Sequence, residues 1–322
     1  MDRIEKMIRD AKPPEGPLGE RAKADLARIL ATAPPSAPDH SVRAQQVSRR
    51  WTWTVAAAAV FAILITTITF SRSDVAIAAT PPMVSITSAA TEAAAALQEA
   101  RDVAASQADL SSRSEIVTQW WALSSQVDSN NTVSTSAIHP RRRITTTGVH
   151  GILAYTDYVG QPYDIRGNPV HDDSLPAAGT DLDTVTVDPD QRVFSAEPPS
   201  NAAEFGNYLA EALEPYSSSP TVNSFEAINA LLSERILTPA QNAALAEHLA
   251  SLPDIELLGA GTDRLGRSVM VFSAPVEADH QALLMLATDT GRVAAAETIY
   301  VGTQRTDIRS PAVIAYTAWE AP

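Results

Sequence analysis

The stretch from Leu258 to Phe272, LGAGTDRLGRSVMVF, places glycine, aspartate and arginine between two apolar runs. A phosphate-binding loop uses glycine-rich backbone that leads from a strand into a helix, usually with a lysine and a serine or threonine. Lysine is absent here, and the strand-like run SVMVF follows. Because aspartate bonds the backbone of its own turn and glycine accepts a positive φ, the stretch predicts a β-hairpin turn.

A second turn of the same chemistry lies in LATDTGRVAAAETIYV, between Leu286 and Val301. Each turn offers an aspartate, then a glycine and then an arginine between apolar runs. The runs DIELLGAG, RSVMVFSA, QALLMLATD and RVAAAETIYVG therefore predict four strands of an antiparallel meander. The segment AVIAYTA near the C-terminus predicts one further strand, at the edge of the sheet.

Helical and strand-like patterns alternate before this meander. An alanine-rich run predicts a helix from about Ser88 to Ala108, and NAAEFGNYLAEALE, TVNSFEAINALLSERI and TPAQNAALAEHLASL predict three more. Between them, SEIVTQWWALSSQVD, RRRITTTGVHGILAYTDYVG and DTVTV predict strands. The expected fold class is α+β, with helices packed on a curved, largely antiparallel sheet that forms a half-open barrel.

The charge is unevenly distributed along the 322 residues, whose formal net charge is -14. Residues 1–50 contain 10 basic and 7 acidic side chains, so the remaining residues contain 14 basic and 31 acidic ones. Nucleic acid is not expected as a partner, because phosphate binding needs a cationic face. The chain has no cysteine, which excludes disulfides and thiolate zinc sites.

The run from Trp51 to Phe70 has 20 residues without a charge, enough for about 30 Å of helix. Tryptophans and arginines frame its first end, which predicts a transmembrane helix over residues 51–71 that contacts the lipid bilayer. A buried core helix and a signal peptide cleaved near Ala76–Thr80 are the alternatives. The excess of basic residues before the span places the N-terminus in the cytoplasm, and residues 72–322 form an exported domain.

Residues 1–50 predict a cytoplasmic arm with two short amphipathic helices and a proline-rich tether. Their apolar stripes are too small for an independent core, so the arm is either largely disordered or folds against a cytoplasmic regulatory protein. Bacterial anti-sigma factors carry a small helical domain in this position. Because the arm has only His40 and no cysteine, it cannot form the histidine–cysteine zinc site of many such domains.

No catalytic, cofactor or metal residues are predicted, and the chain is not expected to be an enzyme. The acidic run that contains Asp181 and Asp183 lacks the spacing of a calcium loop.

His139–Arg143, HPRRR, predicts a solvated turn, or else a contact with anionic lipid headgroups. His248 is expected at a helix end or on the surface, and Trp120-Trp121 on opposite faces of a strand. The six histidines are scattered: His40, His139, His150, His171, His248 and His280. The other aspartates of the acidic run are Asp172, Asp173, Asp188 and Asp190.

The order of these features resembles a family of uncharacterised actinobacterial single-pass membrane proteins, often encoded beside extracytoplasmic-function sigma factors. The matching residues are ADLARIL in the arm, the arginine-flanked span, the alanine-rich helix, and the block from LLSERILTPAQ to ETIYV with its two turns. The resemblance implies a membrane-anchored signalling or regulatory protein of the bacterial cell envelope, anti-sigma-like, with an exported sensor domain. The alternative is an exported module that binds lipid or another apolar ligand in the concavity of the sheet.

Overall fold

The computed structural model describes residues 80–127, 133–161, 176–215, 217–305 and 307–320. They lie in the second of two compact units into which the chain divides, Arg72–Pro322. The helices in this part of the chain are α1 (Ala93–Ala105), α2 (Ala202–Ala212), α3 (Pro220–Glu234) and α4 (Pro239–Ala250). The strands are β1 (Ile86–Thr87), β2 (Glu115–Val127), β3 (Val133–Ile138), β4 (Arg141–Thr147), β5 (Leu153–Val159), β6 (Asp181–Val187), β7 (Glu256–Thr262), β8 (Ser268–Ser273), β9 (His280–Ala287), β10 (Val293–Tyr300) and β11 (Ala312–Trp319).

The sheet is open and antiparallel, with the strand order β1-β7-β8-β9-β10-β11-β2-β4-β5-β6, and β3 also pairs with β2. The α+β class and the meander from β7 to β10 are therefore confirmed. The prediction that AVIAYTA forms an edge strand is wrong. Residues 315–319 of β11 pair with residues 118–122 of β2, so β11 is a central strand that joins the two halves of the sheet.

The hairpin prediction for Leu258–Phe272 is confirmed, and the side chain of Asp263 explains the turn. Its Oδ1 accepts hydrogen bonds from the backbone N–H groups of Leu265 (3.0 Å) and Arg267 (2.9 Å). Gly266 supplies the positive φ of 81° that the turn requires. Arg267 donates to the Asp263 carboxylate and to the carbonyl oxygens of Ala294 and Trp319, so it ties the turn to two further strands.

The second turn, between β9 and β10, lies against helix α1. Gly291 has a φ of 65°, and a Cβ atom added to it would overlap the carbonyl oxygen of Ala100. The small side chains of α1 permit this close approach of backbone to backbone. Helix α1 is shorter than the predicted Ser88–Ala108, because Ile86 and Thr87 pair with β7 and Glu92 is still extended.

Three predicted helices are confirmed, and each begins at a capping side chain. Asn201 accepts from the N–H of Glu204 (2.9 Å), and Ser219 accepts from that of Val222 (3.3 Å). Thr238 and Gln241 form a reciprocal capping box at the start of α4. Proline occupies the first turn of both α3 and α4, where its missing N–H has no intrahelical partner to lose.

The two faces of the sheet carry separate apolar clusters, as the alternation of side chains along a strand requires. We call the face on which the helices pack the helix face; it includes Phe272, Leu284 and Trp319. The opposite face, the far face, includes Met285 and Tyr316 among its buried residues. Within the described residues, no helix contributes to the far-face cluster, and the β7–β8 turn and residues 84–86 pack against it instead.

An ion pair lies on the far face, between Arg264 of the β7–β8 turn, which is partly exposed, and Glu297 of β10, whose side chain is fully buried. The Arg264 guanidinium also lies 5.8 Å from the ring centre of Trp121 and 5.4 Å from that of Tyr316. In a flat sheet β11 would lie about 14 Å from β8, beyond the reach of an arginine side chain. The turn is therefore folded across the far face, and Arg264 connects β7–β8 with β10, β11 and β2.

The two turn glycines form a matched pair for testing the contact with α1. Gly266→Ala is expected to cost about 1–2 kcal/mol, because its positive φ is unfavourable for alanine but nothing lies within 4 Å of the new Cβ. Gly291→Ala is expected to cost at least twice as much, because its Cβ also collides with the backbone of α1. Urea unfolding of the two full-length variants measures this difference, and equal costs would contradict the close packing.

The Arg264–Glu297 pair predicts a strong asymmetry between single and double substitutions. Arg264→Met is expected to cost about 3–5 kcal/mol, because it leaves the fully buried Glu297 carboxylate without its cation. Adding Glu297→Leu should recover part of that loss, because no buried charge then remains. A double variant that is less stable than Arg264→Met alone would contradict this account.

The loss in Arg264→Met should also depend on pH. Burial already raises the pKa of Glu297 above its ordinary value, and Arg264 opposes that rise. Without Arg264 the folded-state pKa rises further, so the folded protein holds a proton that the unfolded chain releases. Stability should therefore fall as pH increases from about 5 to about 8, which urea unfolding at the two pH values measures.

Candidate functional site

A cavity of about 380 Å³ lies between helix α3 and strands β9, β10 and β11. This volume is within the range of about 300–1,000 Å³ that is typical of small-molecule sites. The cavity lies between a helix and the helix face of the sheet, whereas the sequence predicted a ligand in a hollow of the sheet itself. We call this space the α3 cavity.

The floor of the α3 cavity consists of small side chains from adjacent strands. Ala282, Thr298 and Ala315 form one cross-strand row, and Ala296 and Thr317 form the next. All five are only half-buried although they lie in central strands, whereas their neighbour Leu284 is completely buried. The space above these residues is therefore vacant because no large side chain rises from the sheet to fill it.

The roof of the α3 cavity comes from the first half of α3. Val222 and Phe225 are buried in the helix-face core, and Glu226 and Asn229 border the cavity. Glu226 is reached by solvent on one side, but the surrounding protein removes enough water to raise the pKa of its carboxyl group. The lining therefore combines apolar surface with a few polar groups at one side, as in many ligand sites.

The start of α3 is fastened to the rim of the cavity by Glu277, which follows strand β8. The Glu277 carboxylate accepts hydrogen bonds from the Ser217 hydroxyl and from the N–H (3.2 Å) and hydroxyl (3.1 Å) of Ser218. These bonds favour the ionised form and lower the pKa of Glu277. They connect the loop that precedes α3 to the β8–β9 turn beside the cavity.

His248 lies in the last turn of α4, which agrees with the predicted helix end, but it is buried there and not on the surface. Its imidazole lies between α2 and α3, next to Gly206, and its Nε2 atom is 3.3 Å from the Ser224 hydroxyl. Burial lowers the pKa of His248, which favours the neutral ring. Neither Ser224 nor His248 lines the α3 cavity, so this contact belongs to the packing of the helices.

The HPRRR run was predicted as a solvated turn, and this prediction is wrong for its three arginines, which lie in β4. Arg143 donates two hydrogen bonds to Asp157, at 2.7 and 2.8 Å, and its guanidinium lies over the rings of Trp120 and Tyr155. Arg142 pairs with Glu320 at 3.1 Å. Two of the three cations are therefore paired with carboxylates, which leaves less positive charge for a lipid headgroup.

The tryptophan pair lies on opposite faces of β2, as predicted, because Trp121 faces the far-face cluster and Trp120 pairs with Thr317 of the cavity floor. Asp183 is in strand β6, as the strand prediction for DTVTV requires, and the strand begins two residues earlier, at Asp181. Asp172 and Asp173 lie outside the described residues. Among the residues that the structure describes, no group of three His, Cys, Asp or Glu side chains is arranged to hold a metal ion.

The predicted membrane span and arm, residues 1–71, lie outside the described residues. None of the helices in the described ranges combines the length and apolar character needed to cross a membrane. The division into an arm, a span and an exported domain stays a prediction.

No protein-family model and no curated protein matches the chain. Its structural similarities include the Pseudomonas aeruginosa MucA/MucB complex, with 11% identity and a TM-score of 0.26 over 70% of this chain and 55% of that chain. MucB in complex with MucA(peri) gives 11% identity and a TM-score of 0.25, with 70% and 53% covered. A putative outer membrane lipoprotein-sorting protein domain from Vibrio parahaemolyticus gives 13% identity and a TM-score of 0.22, with 71% and 92% covered.

The chain thus spans about half the length of the first two of these structures. TM-scores of this size support no inference about fold or function. The resemblance to single-pass membrane proteins encoded beside sigma factors also stays a prediction, and the functional argument depends on the geometry of the cavity.

Proposed function

We propose that residues 72–322 are the exported ligand-binding domain of a membrane-anchored regulatory protein, and that the α3 cavity binds an apolar ligand such as a lipid acyl chain. The observation that carries the proposal is the row of half-buried alanine and threonine side chains beneath α3. An empty apolar cavity gains no packing energy, whereas a bound apolar chain removes both its own surface and the cavity lining from water.

Binding is favoured over catalysis by the chemistry of the lining. Glu226, Glu277 and His280 stand beside apolar surface, and Glu277 is already bonded to two serines. The other titratable lining residues, Glu297 and Tyr316, direct their side chains to the far face, where Glu297 pairs with Arg264.

A nucleophile activated by a base requires the two groups within hydrogen-bond distance in an accessible site. At the rim, the Ser217 and Ser218 hydroxyls do donate to Glu277, but these bonds lower the pKa of that carboxyl group, which makes it a weak base. The Ser224–His248 contact does not line the cavity, and His248 is buried.

The regulatory part of the proposal comes from the N-terminal sequence. Basic residues before an uncharged run of 20 residues favour a cytoplasmic N-terminus, and the amphipathic arm is long enough to bind a cytoplasmic regulatory protein such as a sigma factor. A domain that binds an apolar molecule outside the membrane would then serve as the sensor. An exported lipid-binding module without a signalling partner is the second candidate, and the same cavity supports it.

Ala296→Phe is expected to block the α3 cavity without unfolding the protein. Its side chain rises from the half-buried floor into vacant space, so thermal stability should be unchanged or slightly higher. Binding of a fluorescent long-chain alcohol, an uncharged apolar probe, should weaken by about tenfold or more, which corresponds to about 1.4 kcal/mol. Fluorescence titration of the full-length protein measures this affinity.

The matched control for that experiment is Ala260→Phe, which places the same side chain at an exposed position of β7. Its affinity for the alcohol should equal that of the unsubstituted protein. Two results would contradict the proposal. One is undiminished binding in Ala296→Phe, and the other is a loss of about 1–3 kcal/mol of stability, which would indicate overpacking of a filled core.

The absence of cysteine allows the predicted topology to be tested with single substitutions. A membrane-impermeant maleimide should label Ala177→Cys, which is exposed, in intact protoplasts, and should label Ser36→Cys only after the cells are opened. Labelling of Ser36→Cys in intact protoplasts would overturn the orientation. A photocrosslinker attached at Ser36→Cys should capture a cytoplasmic protein, and failure to capture one would remove the support for a regulatory arm.

A further inference from the structure

A second cavity, of about 470 Å³, lies at the other end of α3. It is formed by the last residues of α3 and the segment after it, the start of β2, the start of β10 and the end of β11. We propose that this cavity, which we call the arginine cavity, binds an amphipathic anion, that is, a carboxylate or phosphate group joined to an apolar body. The site is separate from the α3 cavity and does not rest on the function proposed for it.

Three arginines from different parts of the chain line the arginine cavity: Arg113 before β2, Arg235 after α3 and Arg292 before β10. Arg235 is paired with Glu197 at 2.9 Å, and Asp109 acts on Arg292, so part of this charge is compensated within the protein. Three arginines at one cavity are nevertheless unusual in a protein whose formal net charge is -14. The planar guanidinium group of arginine matches carboxylate and phosphate oxygens with two parallel hydrogen bonds. The arginines therefore predict the chemistry of the ligand's head group.

The two glutamates at the border of the cavity do not neutralise this charge. Along β2, Ile116 lies on the helix face, so the side chain of Glu115 points to the far face. The same alternation turns Glu320 away from Trp319, and its carboxylate pairs with Arg142 at 3.1 Å. Glu115 also acts on Arg142, whose pKa is raised, chiefly by its hydrogen bond to Glu320. Both carboxylates therefore interact with Arg142 on the far face and not with the arginines of the cavity.

The cavity arginines retain hydrogen-bonding capacity. Arg235 donates to Glu197 (2.9 Å) and to the carbonyl oxygen of Phe194, but its buried Nε atom has no acceptor within the described residues. The Nη2 atom of Arg292 donates to the carbonyl oxygen of Ala108. The buried Nε atom of Arg292 also has no acceptor within the described residues. The indole nitrogen of Trp319, a residue that is 7% exposed, also has no acceptor in the described part. Buried donors without acceptors are unfavourable, so oxygens of a bound anion would stabilise this arrangement.

The rest of the lining is apolar, and this determines the second half of the ligand. Ile116, Leu232, Leu237, Val293 and Trp319 line the cavity beside the arginines, and all but Ile116 are largely buried in the helix-face core. A free inorganic anion would leave the remaining exposed apolar surface in contact with water, whereas an anion that carries an acyl or aromatic group would cover it. An ion pair next to apolar surface also interacts more strongly than one in bulk water.

The experiment uses the full-length protein and four probes: dodecanoate, dodecyl phosphate, dodecanol and inorganic phosphate. Isothermal titration is made below the concentration at which the amphiphiles form micelles. We expect dodecanoate or dodecyl phosphate to bind, and the stronger of the two identifies the head group. Arg292→Gln and Arg113→Gln should each weaken that binding by about tenfold, whereas the control Arg309→Gln, at an exposed arginine outside the cavity, should not.

A second measurement, by nuclear magnetic resonance, tests whether the ligand binds beside Trp319. The indole N–H resonance of Trp319, identified from its loss in Trp319→Phe, should shift when the anion binds and should not shift in Arg292→Gln. Because Arg113 is exposed, its substitution tests the site even if Arg292→Gln disturbs the fold.

The inference is overturned if neither amphiphilic anion binds, or if binding is the same in both arginine variants. Binding that is lost in Ala296→Phe but keeps its strength in the arginine variants would also overturn it, while supporting the α3 cavity. Conversely, arginine-dependent binding that survives Ala296→Phe supports the arginine cavity even if the α3 cavity binds nothing.

Discussion

The pairing of β11 with β2 is the interaction on which the rest of the domain depends. It joins the meander of β7 to β11 with the strands that come earlier in the chain, so that one sheet results instead of two small ones. At this junction Trp121 and Tyr316 are direct partners with ring centres 5.9 Å apart, and Arg264 covers both rings while it pairs with Glu297. Cross-strand aromatic pairs and a desolvated cation together fix the register of the central strands.

This junction also explains how both faces of the meander strands are buried. The helices cover one face, and on the other the β7–β8 turn brings Arg264 and Leu265 onto the apolar cluster. A buried carboxylate such as Glu297 is costly unless it has a partner, so the turn must hold Arg264 in place. Asp263 does so by closing the turn with its own hydrogen bonds, which gives this short sequence its influence on the fold.

Local features of the fold could be predicted from the sequence because they depend on local chemistry. The two turns follow from aspartate and glycine between apolar runs, and α2, α3 and α4 follow from the apolar periodicity of their sequences. The cap of α3 at Ser219 lies before the predicted segment. The central position of β11 could not be predicted, because its pairing with β2 joins segments that are distant in sequence and AVIAYTA alone does not indicate its partner. The same limit applies to Arg143, whose partner Asp157 is brought beside it by the pairing of β4 with β5.

The candidate site was missed for the same reason. Ala282, Thr298 and Ala315 are far apart in sequence and look like ordinary small residues of three strands. Only the register places them in one row beneath α3, where their combined lack of volume leaves a cavity. His248 shows the opposite case, since a polar side chain expected near solvent is buried because glycine at position 206 leaves room for it.

Helix α3 has a different environment at each end. Its first half covers small apolar side chains, and its last residues lie beside a group of arginines.

The central claim is that the space beneath α3 is a binding site and not a packing defect. Native mass spectrometry of the full-length protein isolated from its host tests this claim most directly, because it detects a bound molecule without assuming its identity. The account predicts a population heavier than the chain by the mass of one apolar molecule, which is released as lipid on activation in the gas phase. A single mass equal to that of the chain alone would contradict it.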